Sequence, residues 1–194
     1  MRMFLTVIVD EYGRYKAGGI MKIFKWIVLT MLVGLLGACT VHQVQESQPL
    51  DKDATWLILP VVNMAEVPMA GENIEAMLDS ALRIRGVADL QRQAGLPHTG
   101  GGLMLDDRQR YEQALEQASQ SNARYGVTGA VHEWRYKTGL DGEPAVGLTL
   151  QVVDLPSGQV LWTASGAKTG WGYSNVSGTA EKLVMQLLKG LTLQ

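Results

Sequence analysis

The sequence predicts an α+β domain, a mixed β-sheet flanked by helices. Two observations predict it. Strand-like runs occupy 56–62, 125–137, 145–154 and 159–168, and the last three are separated by turn residues rather than by helices. Segments with apolar residues at helical spacing precede and follow them. A third observation concerns what comes before the domain. The 194 residues suffice for one domain with its own core, and a hydrophobic fraction of 46% argues against a disordered chain. Part of that fraction, however, is concentrated ahead of the chain's single cysteine, Cys39.

From Met21, Lys22 and Lys25 form a positively charged start, and about a dozen apolar residues follow. That run is shorter than the ~20 residues a spanning helix needs. It ends in Leu36-Gly37-Ala38-Cys39, which resembles a bacterial lipobox. Residues 21–38 therefore read as a lipoprotein signal peptide, with Cys39 the lipidated residue and new N-terminus. Thr40, where an aspartate is absent, fits sorting to the outer membrane. Residues 1–20 carry Asp10 and Glu11, which are foreign to such a start, so they read as an over-extended beginning. Removing 1–38 takes away five basic and two acidic residues, and net −2 becomes net −5. One cysteine excludes a disulfide framework, and the acidic balance gives no reason to expect nucleic acid.

Residues 39–54, rich in Gln, Ser and Asp, read as a lipid-anchored tether, and 55–194 as a single domain. Trp56–Val62 is a continuous apolar run, hence a buried strand, with Pro60 limiting its pairing on one side. Ile74, Met77, Leu78, Ala81 and Leu82 make one stripe of a helix over 72–85, stopped by Gly86. Residues 87–90 form a short strand, and His98–Gly102 a connection. A second helix has Tyr111, Ala114, Leu115 and Ala118 on one face and Asp106 or Asp107 as its cap. Residues 125–137 and 145–154 form a hairpin around Asp141-Gly142. Asp154–Gly158 turns the chain into a strand at 159–168. The closing helix places Ala180, Leu183, Val184, Leu187, Leu188 and Leu191 on one face.

Catalytic chemistry is not visible. His42, His98 and His132 lack metal-ligand spacing, Thr99–Gly102 lacks the Gly-Lys-Ser/Thr of a phosphate loop, and no serine sits in a nucleophile elbow. What remains is at the surface. Asp141 and Glu143 sit on a hairpin tip. Trp171 stands between two glycines, which cannot bury an indole from both sides, and an exposed Trp171–Tyr173 pair suits a bilayer interface.

Val127-Thr-Gly-Ala-Val131, Gly147-Leu-Thr-Leu-Gln-Val-Val-Asp154, Ser157-Gly-Gln-Val-Leu-Trp162 and the closing helix resemble the C-terminal half of CsgG-like outer-membrane lipoproteins. Within that group the sequence is similar to the PelC-like lipoproteins of Pel exopolysaccharide export, a likeness strengthened by Gly170-Trp171-Gly172-Tyr173 and spanning roughly Trp56 to Leu191. The resemblance implies a CsgG-like α/β sandwich without enzymatic activity or cofactor. It implies a twelve-membered homo-oligomeric ring on the periplasmic leaflet of the outer membrane, beneath a β-barrel porin of the PelB type. It implies that Trp171 is set against the membrane. It further implies acidic residues around an opening that guide a cationic polymer, with Asp141 first and Glu143 second as the matching positions.

Two alternatives belong to the same superfamily. LpoB-like regulators of envelope synthases carry a longer tether than the ~15 residues here, which reach at most ~55 Å. A CsgG-like secretion pore needs additional membrane hairpins with strands of about 9–11 residues, and the sequence has no spare pair.

Overall fold

The computed structural model describes residues 41–44, 47–93, 104–138, 142–171 and 174–194. They form β1 (Val41–Val44), β2 (Trp56–Asn63), α1 (Ala70–Ile84), β3 (Leu90–Arg92), α2 (Met104–Ser119), β4 (Tyr125–Tyr136), β5 (Pro144–Asp154), β6 (Gln159–Thr169) and α3 (Val176–Leu188). The six strands make one sheet in the order β1-β6-β5-β4-β2-β3. The pairs β1–β6, β6–β5 and β5–β4 are antiparallel, whereas β2 runs parallel to both β4 and β3. The sheet is mixed, as predicted.

Strand alternation decides which side chains meet the helices. Val146, Leu148, Leu150 and Val152 of β5 point to one face, and each is fully buried. α1 covers that face with Ile74, Leu78 and Leu82, and α3 covers it with Leu183, Leu187 and Leu188, around Trp56 and Trp162. Each such aliphatic side chain contributes about 1.5–3 kcal/mol relative to exposure. The other face is covered over β2, where Leu57 and Leu59 pack with Ala114 and Ala118 of α2 and with Leu155. Because β2 is buried on both faces, its sequence is apolar throughout instead of alternating.

Pro60 leaves a mark on that strand. The β2–β4 register shifts between Ile58 and Val61, and β3 pairs with β2 only from Trp56 to Ile58. The groups freed by the irregularity find buried side chains. Val61 N–H donates to Glu75 Oε1 at 3.0 Å, and Thr128 Oγ1 donates to the Pro60 carbonyl at 2.8 Å. The restriction read from Pro60 thus falls on both neighbouring strands, and α1 and β4 each supply a polar group to repair it.

Three readings need correction. The segment 39–54 is not simply a tether. β1 lies within it, pairing Val41 with Ala167 through Val44 with Ala164. Leu50 is buried, and its backbone exchanges hydrogen bonds with Thr192 and Gln194 at 2.9 and 3.0 Å. β3 lies two to three residues later than predicted: Gly86 turns at φ 94° and Val87 is buried in the core before pairing begins. α2 starts at Met104, so Asp106 and Asp107 fall inside the helix and neither is at the cap position.

Candidate functional site

Strand direction gathers the candidate residues. β2, β4 and β6 point the same way, so the ends of β4 and β6 lie together with the starts of β5 and β1. At this end the β4–β5 hairpin projects beyond β2. Tyr136 faces Pro144, and Lys137 N–H donates to the Glu143 carbonyl at 2.7 Å. Gly142 takes φ 49°, the left-handed conformation a tight hairpin requires. Glu143 is half-buried here.

The segment after β6 is pressed against the base of this hairpin. Gly170 N–H donates to the Pro144 carbonyl at 2.8 Å. A Cβ at Gly170 would stand 2.5 Å from Pro144 Cγ and 2.7 Å from Thr179 Oγ1, so a side chain has no room there. Ser174 Oγ donates to the Trp171 carbonyl at 2.7 Å and accepts from Trp171 N–H at 3.3 Å. Asn175 then caps α3 by accepting from Gly178 N–H at 2.6 Å. With its backbone held on both sides, Trp171 directs its indole outward, and the residue is 84% exposed. An indole this exposed loses ~1.5–3 kcal/mol of apolar burial that a membrane or partner could restore.

Trp171 and Glu143, which belong to different loops, are therefore brought to one end. The start of β1 is at that end too, with Val41 opposite Ala167 and two residues along the chain from Cys39. Cys39, Asp141 and Tyr173 lie outside the described residues, as does His98. His132 is an exposed β4 residue whose Nε2 meets Thr149 Oγ1 at 2.8 Å. Among the described residues no cluster of His, Cys, Asp and Glu could hold a metal ion, and no helix is long and apolar enough to cross a membrane.

The titratable groups that depart from ordinary behaviour lie elsewhere. Burial raises the Glu75 carboxyl above its ordinary value, against the lowering effect of the Val61 N–H bond and of Arg92 and Arg110. Asp89 is lowered by hydrogen bonds from Thr55 and Gln91. Glu75 repairs a strand, and Asp89 ties the loop before β3 to the start of β2.

A second surface feature escaped the sequence. A groove of about 1050 Å³ runs between α3 and the β1–β6 edge, with Lys168, Lys182 and Lys189 on its walls. The seven-residue interval between Lys182 and Lys189, two helical turns, was the available signal.

No protein-family model and no curated protein matches the sequence. Solved structures do. A PelC dodecamer from Paraburkholderia phytofirmans is 34% identical, with a TM-score of 0.67, over 80% of this chain and 99% of that one. A second crystal form of the PelC dodecamer from the same organism gives 34% identity and a TM-score of 0.66 over the same shares. Lipoprotein GNA1162 from Neisseria meningitidis is 17% identical, with a TM-score of 0.47, over 70% of this chain and 96% of that one.

Proposed function

The chain belongs to the PelC family, and from that premise we propose that it is a lipid-anchored, ring-forming component of a Pel-type exopolysaccharide export machine at the outer membrane. The observation that carries this reading is the 34% identity to PelC dodecamers across nearly their whole length. In this reading Cys39 is acylated and holds the protein on the periplasmic leaflet. Trp171, 84% exposed and at the end where β1 begins, enters the interfacial layer, with Tyr173 two residues on. The hairpin carrying Asp141 and Glu143 stands beside it.

One hairpin carboxylate does little alone. Repeated around a closed ring, Asp141 and Glu143 produce a focused negative potential that concentrates a cationic polymer ahead of a β-barrel porin of the PelB type. Attraction of this kind is weak at each site and screened by salt, so the polymer can leave as well as enter. Conduction of this sort involves no covalent step and no cofactor.

Native mass measurement of the protein extracted in mild detergent tests the assembly. A closed oligomer of about twelve copies is expected; a monomer at high concentration would overturn the ring.

A further inference from the structure

The mature chain is acidic, yet three of the five lysines that follow Cys39 converge on the α3–β1 groove. Lys182 and Lys189 project from α3, and Lys168 lies on β6 three residues before Trp171. Glu181 also lines the groove, which leaves a net of two positive charges. The apolar parts are Val44 of β1 and Met185 of α3, which offer surface to the lysine stems. Among the described residues none of the three lysines is in an ion pair with an acidic side chain.

The groove's place in the fold says what an anionic occupant would be. Val44 lines it from β1, the strand that starts two residues after Cys39. Lys168 is next to Ala167, the partner of Val41, so the Lys168 end of the groove is the end at which β1 begins. The rest of the groove extends only from the level of Lys168 to that of Val44, opposite Ala164, about 13 Å along the strand. Behind its far end lies an unsatisfied donor. Among the described residues the buried Trp162 Nε1 has no hydrogen-bond partner; it is 3.7 Å from where a Cβ at Gly190 would stand, and Gly190 lines the groove.

We propose that the α3–β1 groove is a binding site for the phosphate of an anionic phospholipid headgroup in the leaflet that holds the anchor. Lys168 and Lys182 contact the phosphate, and Lys189 adds to the local potential. An acidic protein held against an anionic leaflet is repelled by it, and lysines near the surface reverse that locally. The inference rests on the acylated, membrane-seated reading above and adds the lipid chemistry that such seating selects.

The test uses the full acylated protein reconstituted into phosphatidylcholine vesicles, with or without one third phosphatidylglycerol. Vesicles are floated, lysines are acetylated briefly, and the extent at each lysine is read by mass spectrometry. Lys168 and Lys182 should react several-fold more slowly with phosphatidylglycerol present, and high salt should abolish the difference. Lys52, beside the start of β2 at the opposite end, should react equally in both. Equal rates at Lys168 and Lys182 in the two vesicles, with flotation intact, would overturn the groove and leave the export reading standing. Slow reaction in both vesicles that is relieved on dilution would mean that a second copy covers the groove, and would overturn it too. Protection by inorganic phosphate in phosphatidylcholine vesicles would remove the lipid from the argument. Failure to float would overturn the anchoring and the groove together.

Discussion

Glu75 occupies a position on the inner face of α1 where an aliphatic side chain would be ordinary, and it is buried to 6% exposure. Its carboxylate accepts the Val61 N–H that the Pro60 irregularity leaves without a strand partner. Burial raises its pKa above the ordinary 4.5, so the folded protein holds this proton to higher pH than the unfolded chain does. The contribution of Glu75 is therefore complete below about pH 4.5 and is lost as pH rises through the raised value. Glu75→Gln keeps an acceptor for Val61 and should flatten that part of the profile. Urea unfolding of both proteins at a series of pH values checks it, and identical slopes would refute the assignment. Trp171 is the opposite case, a large side chain with little to do for the fold. Trp171→Ala should change folding stability by no more than about 0.5 kcal/mol, while membrane seating, read by vesicle flotation and by polymer secretion, should fall. The exposure of Trp171 was legible from its two glycine neighbours. The role of Glu75 was not, because a glutamate within an apolar stripe carries no sign of the N–H it serves 14 residues earlier.

At the scale of elements, legibility follows periodicity. β5 alternates because its faces differ, and α3 repeats at helical spacing because one side is buried against the sheet. Both were read from that signal, except that Leu191, read as part of the closing helix, is buried just beyond its end at Leu188. β1 had none to offer, being four residues with Val41 and Val44 at odd spacing, in a stretch of glutamines and serines. Its partner β6 lies more than a hundred residues away, and its fit depends on Gly190 at the end of α3. A Cβ there would collide with Val44 Cγ1. Gly190→Ala should cost about 1–3 kcal/mol by overpacking, and should speed amide exchange in β1 more than in β5. Unchanged exchange in β1 would show that the strand does not depend on this contact. Arg85, at the C-cap of α1, donates to the carbonyls of Leu188 and Leu191, and so fastens the two core-covering helices where α3 ends.

For the whole molecule, the folded body brings Trp171, Glu143 and the start of β1 to a single end, an arrangement no local pattern encodes. A net −5 over residues 39–194 is a weak field, and in the proposed reading it becomes a strong one by repetition around a ring. Asp141→Asn combined with Glu143→Gln should lower polymer secretion while the mass of the assembly stays the same. Secretion at the wild-type level would reject the hairpin as the guide. The docking of β1 has a further consequence for how such a ring comes together. Only Thr40 stands between Cys39 and the first paired residue, and two residues reach at most about 7 Å. In the proposed reading, a body acylated at Cys39 is held to the membrane by the end where β1 begins, so its copies meet with a shared axis. Encounter is then a search over two coordinates in the plane and one rotation, where free molecules search three of each. Much of the translational and rotational entropy that association ordinarily forfeits has already been surrendered to the bilayer. A modest joint between neighbours is then enough to close the circle.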